Sequence, residues 1–466
     1  MLFTSEAFLF LFLPFTVLIY YLFLVKHTLM KNVFLLIMSL AFYAYGEPKN
    51  IILMIIMIIL HYCFAMMISW MNQKGNHVVS KILLALIVGI DICILGYFKY
   101  ADFLINNINA LFHQDMTPLN IALPIGISFY TFQSLSYVID VYRGTVEAQR
   151  NPLYVGLYIS LFPQLIAGPI VRYETIEHEI EHRKENIKAF SIGVNRFIVG
   201  LGKKVLLANQ FAIVADAAFN ASSRTVFMAW FGAIAYTLQI FFDFAGYSDM
   251  AIGLGRMFGF HFLENFKFPY IARSITEFWR RWHMSLQTWF KDYVYIPLGG
   301  SRVSVPRHIF NMFVVWGLTG LWHGANWTFV TWGLMYFVLL VIEKYTHLEE
   351  KLGPFANLYT MLFVMLGWVL FRSDSIARAG SYLLSMIGIG SKGLIDSASI
   401  EYLQRYWIYL ILGIICCFPI IHNLNIKLRK NMIYNWIYII VMSAILIISI
   451  MFIFSNAYNP FIYFNF

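Results

Sequence analysis

Apolar stretches long enough to cross a lipid bilayer recur along almost the whole of this chain, and no other feature restricts its fold so severely. A transmembrane helix needs about 20 mostly apolar residues. Such stretches fall at 7–25, 32–46, 51–70, 82–98, 119–142, 152–171, 205–218, 226–242, 309–322, 325–342, 355–371, 406–421 and 436–454. The composition agrees: 60% of the 466 residues are hydrophobic and 12% are charged, against about 45–50% and about 25% in soluble domains. The expectation is an all-α integral membrane protein with roughly a dozen membrane-embedded helices. No internal repeat, low-complexity tract or separable soluble domain is visible, so residues 1–466 read as a single transmembrane domain.

A net charge of +9 raises the question of nucleic acid. In a membrane protein that surplus reflects cytoplasmic loops rich in Lys and Arg, and no nucleic-acid-binding motif accompanies it. Cys63, Cys93, Cys416 and Cys417 all lie in apolar runs without metal-ligand or redox spacing, and read as small packed hydrophobes. The first stretch, 7–25, has no basic leader or small-residue cleavage site and ends at Lys26. It reads as a retained helix and not as a signal peptide.

Loop charge suggests an orientation. Loops 26–31, 72–81 and 143–150 hold two basic residues each, and the loops alternating with them about one, Lys49 or Lys99. The N-terminus then faces outward. Segment 172–204 carries Arg172, Arg183, Lys184, Lys188, Arg196, Lys203 and Lys204 and also belongs inside, which simple alternation forbids. A segment that enters and leaves on one side resolves the conflict. Pro124, Pro163 and Gly168–Pro169 interrupt the preceding runs, and broken backbone at membrane depth needs protein or a water-filled cavity around it. A cavity with re-entrant walls is expected. A second basic block, 264–308, is placed at the cytoplasmic face.

The strongest candidate for chemistry is Gly-Leu-Trp-His-Gly-Ala-Asn-Trp, residues 320–327. A helix starting near Asn311 carries His323 about 18 Å into a core about 30 Å thick, where a polar group is costly and usually functional. Gly320 and Gly324 allow close approach of backbone or ligand. Spacing alone leaves open a histidine hydrogen-bonded between helices.

The second candidate is residues 278–293, Phe-Trp-Arg-Arg-Trp-His-Met-Ser-Leu-Gln-Thr-Trp-Phe-Lys-Asp-Tyr. On one helix Trp279 and His283 share a face and Arg280 and Arg281 point elsewhere. Arginine beside aromatics suits the phosphates of coenzyme A or of a carrier's prosthetic arm; an interfacial helix anchored by Trp and Arg is the alternative. Asp243 and Asp249 end an apolar helix and are expected to pair with arginines of the central loop. His178-Glu179-Ile180-Glu181-His182 has the zinc-protease spacing, but its charged surroundings nominate no third ligand. No metal is expected. Gly253, Gly255 and Gly259 follow no strand, so they read as helix packing or a turn and not as a dinucleotide loop.

Four blocks resemble the membrane-bound O-acyltransferase family, most closely its bacterial alginate O-acetyltransferase branch: Met-Leu-Phe-Thr-Ser at 1–5, Leu-Pro-Ile-Gly-Ile-Ser-Phe-Tyr-Thr-Phe-Gln at 123–133, Phe-Pro-Gln-Leu-Ile-Ala-Gly-Pro-Ile-Val-Arg at 162–172, and the 243–327 region. The resemblance implies that His323 and His283 are the catalytic pair. It implies substrate-binding roles for Trp322, Asn326, Trp279, Trp282, Arg280, Arg281, Gln133, Tyr130 and Asp292. It also implies helices around a central tunnel, with re-entrant and interfacial segments, open to a donor on the cytoplasmic side and an acceptor outside.

The expected activity is O-acyl transfer, most simply acetyl, from a cytoplasmic thioester (acetyl-CoA or an acyl carrier) to a hydroxyl of an exported polysaccharide or its extracytoplasmic partner protein. No cofactor is permanently bound, and the setting is a bacterial inner or plasma membrane. A D-alanyl transferase with a carrier-protein donor is the alternative within the family, and the run 296–302, Ile-Pro-Leu-Gly-Gly-Ser-Arg, argues against it. A transporter or flippase is the alternative from another class; it predicts inverted repeats, which are not found.

Overall fold

The computed structural model describes residues 1–22, 27–455 and 462. Val25 and Lys26, the expected end of the first helix, lie outside the described residues. The described chain is helical and forms no strand. Nine of its helices are long and apolar enough to span a membrane, among them Ile51–Gln73, Val226–Met257 and Met432–Ser455. Ala7–Leu22 is a shorter apolar helix. The protein is therefore a multi-pass membrane protein.

Backbone packing divides the chain into two units, one of Met1–Phe197 with Met250–Leu263, the other of Ile198–Asp249 with Glu264–Phe466. Of the three crossings, those near 197 and 250 fall inside helices, and the third, after Leu263, falls in a loop.

In the first unit the proline-interrupted stretches are broken helices, as their sequence suggests. The helix Pro152–Ser160 stops at Leu161, a four-residue turn Phe162–Leu165 follows, and the next helix starts only at Tyr173. The backbone between is buried, so its polar groups need partners from the protein. Gln133 and Gln164 both donate to the Tyr158 carbonyl, at 2.8 and 2.6 Å. The Tyr158 hydroxyl donates to the carbonyls of Val171 and Gln133, at 3.0 and 3.1 Å. Ser39 Oγ accepts the Phe162 N–H at 3.1 Å.

The zinc-like spacing belongs to the same unit. His178 and His182 lie one turn apart on the helix Tyr173–His182, their rings tilted at 56° with centroids 5.4 Å apart. Glu179 is taken up by His261, accepting its backbone N–H at 2.8 Å and meeting its Nδ1 at 2.5 Å. Gly253 is a helix contact, since a Cβ there would lie 2.6 Å from the Gly193 carbonyl oxygen.

In the second unit, Asp243 and Asp249 form ion pairs, but not with arginines of the central loop. Lys204 meets Asp243 at 2.5 Å and Lys203 meets Asp249 at 2.6 Å. The adjacent lysines lie nearer along the helix that packs on Val226–Met257: a Cβ at Gly246 would come 2.8 Å from the Gly200 carbonyl oxygen and 3.1 Å from Lys204 N. Asp243 also accepts the Ile462 N–H at 2.9 Å. Lys204 and Asp243 are both buried, and a buried charge that loses its partner costs about 3–5 kcal/mol. Lys204→Met is expected to lower the melting temperature of the detergent-solubilised protein, and Lys204→Met with Asp243→Leu to recover much of the loss. Equal melting temperatures for the parent and the single variant would contradict a stabilising pair.

Candidate active site around two buried histidines

His323 is the last residue of the helix Val305–His323. Pro306 occupies its first turn, where proline's missing N–H costs nothing. The helix therefore takes in Arg307 and His308, which the sequence assigned to the preceding loop. His323 lies about 27 Å along it, at 1.5 Å per residue, and not the expected 18 Å or so. Gly324 continues in extended conformation. Asn326 then caps the helix Trp327–Thr346, its Oδ1 accepting the Thr328 N–H at 3.0 Å and its Nδ2 donating to the Asp374 carbonyl at 2.9 Å.

These two helices touch backbone to backbone. A Cβ on Gly320 would sit 2.6 Å from the Phe329 carbonyl oxygen, and one on Gly333 would sit 2.5 Å from that of Trp316. Small residues at such crossings let membrane helices approach closely. The approach packs three aromatic rings around the His323 imidazole: Trp322, Trp332 and Phe371, with centroids 4.9, 5.0 and 5.1 Å away at interplanar angles of 82°, 80° and 76°. Edge-to-face contacts of this kind contribute about 0.5–1.5 kcal/mol each and hold the ring in one orientation. His323 keeps 6% of its surface exposed.

The expected continuous helix over 278–293 is broken in the structure. Ile275–Arg281 ends, His283 adopts a left-handed backbone (φ 45°), and Met284–Phe290 begins. Trp279 and His283 therefore do not share a helical face. Trp279 packs on Trp316, Trp332 and Tyr336, at 5.0, 5.4 and 4.9 Å. His283 meets Phe244 at 4.6 Å and Trp322 at 6.0 Å.

The break is held from segment 265–267. Asn265 C=O accepts the Met284 N–H and Arg281 C=O accepts the Lys267 N–H, both at 2.9 Å. Asn265 Oδ1 accepts from Ser285 N at 3.2 Å and Ser285 Oγ at 2.9 Å, and faces His283 Nδ1 at 3.2 Å. At the other end, Glu343 accepts the N–H groups of Ile275 and Thr276, at 2.6 and 2.9 Å, and the Thr276 hydroxyl at 2.8 Å. A carboxylate on these first N–H groups complements the positive end of the helix. Both ends of Ile275–Arg281 are thus tied down, and burial pushes the His283 imidazole down to a pKa of about 3. The ring is neutral at physiological pH.

Trp322 contacts both imidazoles, so the structure brings His283, His323 and Trp322 together. Trp282 and Trp279 belong to the surrounding aromatic core, with Trp282 on Trp368 at 4.9 Å. Arg281 is paired with Glu277 at 2.7 Å and donates to the Lys267 carbonyl at 3.1 Å, while Arg280 is exposed and Asp292 half-buried. Tyr130 and Gln133 belong to the first unit, where Tyr130 packs on Tyr43 at 6.4 Å and Gln133 holds the broken helix.

The sequence reading did not pick out Asn265, Ser248, Glu343, Trp332 or Phe371. Glu343 had a signal: it directly follows the apolar run 325–342, where a carboxylate invites attention. Asn265 had none beyond being an uncharged amide among phenylalanines.

Residues 148–348 match the family profile described as "MBOAT, membrane-bound O-acyltransferase family". The chain is 44% identical to the "Probable alginate O-acetylase AlgI" of Pseudomonas syringae pv. tomato, over 87% of this chain and 79% of that protein. It is 38% identical to the protein of the same name in Pseudomonas putida, over 100% of each. It is 33% identical to the "Peptidoglycan O-acetyltransferase" of Helicobacter pylori, over 100% of this chain and 98% of that one.

The helix crossing makes a direct test of how His323 is placed. Gly333→Ala is expected to lower stability by about 1–3 kcal/mol and to cut turnover by up to about 10²-fold through displacement of the ring. Gly317→Ala, where a Cβ meets nothing within 4 Å, should leave both near the parent values. Thermal unfolding and acyl-transfer rates measured on the two variants together decide it.

Proposed function

The chain belongs to the membrane-bound O-acyltransferase family, and from that membership we propose that it moves an acetyl group from a cytoplasmic thioester donor to a hydroxyl of an exported polysaccharide, or of an extracytoplasmic partner protein that acylates one. The whole chain works as one catalytic domain in the inner or plasma membrane of a bacterium. The names of its relatives, two probable alginate O-acetylases and a peptidoglycan O-acetyltransferase, support acetyl as the group and an envelope polymer as its destination.

The observation that carries the mechanism is the pair of buried imidazoles against one indole. His323 takes the proton from the attacking hydroxyl as its oxygen adds to the thioester carbonyl; neutral imidazole is suited to this near pH 7. The C–O bond forms, the C–S bond breaks, and the proton passes from the imidazolium to the departing thiolate. His283, neutral through burial, orients the reacting groups with Trp322 beside it. The donor is acetyl-CoA or an acyl carrier, and no permanently bound cofactor takes part. Arg280, exposed at the end of its helix, is a contact for the donor's phosphates, with Arg281 and Asp292 nearby in sequence. Asn326 acts on the site by capping the helix that follows His323. Helices around a tunnel give donor and acceptor their separate routes.

A positioned general base contributes about 10²–10⁴ in rate. His323→Ala is expected to lose that much acyl transfer in proteoliposomes supplied with an acyl thioester and an acceptor, with its melting temperature close to the parent's. Near-parent transfer by the variant would remove His323 from the mechanism. Movement of the acceptor across the membrane without acylation would replace transfer by transport.

A further inference from the structure

Asn265 is fully buried, and its side chain is bonded on both sides of the amide. Nδ2 donates to Ser248 Oγ at 3.1 Å, while Oδ1 lies 3.2 Å from Ser285 N, 2.9 Å from Ser285 Oγ and 3.2 Å from His283 Nδ1. The orientation of the amide follows from chemistry. A backbone N–H only donates, so the Asn265 atom facing Ser285 N must be the carbonyl oxygen. That same oxygen faces His283 Nδ1, which must then carry a hydrogen. In a neutral imidazole the other nitrogen, Nε2, is then the acceptor. The residues that impose this come from three places: Ser248 on the helix Val226–Met257, Asn265 on the following loop, and Ser285 in the first turn after the break.

We propose that Asn265, held by Ser248, is a positioning residue for the acyl transfer: it fixes His283 in the tautomer protonated at Nδ1, so that the ring meets the reacting groups with a hydrogen-bond-accepting Nε2. The inference rests on the assignment of His283 to the reaction above. It specifies what that histidine does: it accepts a hydrogen bond, leaving the attacking hydroxyl's proton to His323, and does not donate to the thioester oxygen. The same amide also holds the left-handed turn at His283, so one residue sets both the place of the ring and the position of its proton.

Asn265→Asp separates these roles. The carboxylate keeps the shape and the acceptor oxygens, so Ser285 and His283 stay bonded. Its charge favours the imidazolium and raises the His283 pKa by about 1–3 units. Raised from about 3 to at most about 6, the ring begins to lose its neutral form as the pH falls below about 6, and the variant is expected to keep most of its turnover at pH 8 and to fall at pH 5 by several-fold more than the parent, with KM for the thioester unchanged. Asn265→Ala should lose about 10²-fold in kcat at both pH values. Ser248→Ala, which leaves the asparagine bonded to Ser285 and removes only the acceptor of its Nδ2, loosens the amide and should give a smaller loss of the same kind; it guards against misfolding of the alanine variant.

His283→Ala is measured in parallel. If it is inactive while Asn265→Asp follows the parent's pH dependence and Ser248→Ala keeps the parent's kcat, the positioning role is overturned and the catalytic reading stands. If His283→Ala is active, both fall together.

Discussion

A polar group inside a protein that is itself dissolved in lipid has no water to fall back on, and every buried donor and acceptor must find its partner in the chain. Most of the unusual local structure here follows from that requirement. Where prolines interrupt the helices of the first unit, Gln133, Gln164 and Tyr158 take the place of the missing helical bonds. Where the central segment breaks at His283, Asn265 does the same with its backbone and its side chain. Glu343 closes the start of the helix before that break, and Lys204 neutralises Asp243 on the helix behind it.

The consequence for the site is rigidity. His323 stands at the end of a helix that its neighbour approaches within backbone contact at Gly320 and Gly333, and three aromatic edges leave its ring little freedom. His283 is anchored in a different way, by a clipped turn between two short helices. Two rings held by independent devices against one tryptophan are preorganised, which is what the proposed catalytic role requires of groups that act without reorganising. Burial also sets the charge of His283, because a cation between Phe244 and Trp322 would lack the solvation that water gives it.

Several residues that look like ligand-binding groups in the sequence do structural work within the fold. Gln133 ties a broken helix, Trp279 and Trp282 fill an aromatic core, Arg281 is paired to Glu277, and Asn326 caps a helix. In each case the residue type suits either role, since an amide, an indole or a guanidinium binds a backbone or a carboxylate of its own chain as readily as a ligand's. In the zinc-like spacing, Glu179 is bonded to His261 of the same unit.

The amino-acid sequence by itself determined the solvent, the helical class and the family, because long apolar runs and contiguous motifs are properties of neighbouring residues. It also singled out His323 and His283, since a histidine among glycines and tryptophans in an apolar setting is visible along the chain. It placed the helix breaks near Pro163 and Gly168, where the missing N–H and the pyrrolidine ring act locally. Only the tertiary structure decided the break at His283, the lysine partners of Asp243 and Asp249, and the parts of Asn265, Ser248 and Glu343. Each of those depends on a hydrogen bond or ion pair between residues separated by about 15 to 70 positions. A partner so far along the chain leaves no periodicity or spacing to read, and becomes visible only when packing has brought the two groups within bonding distance.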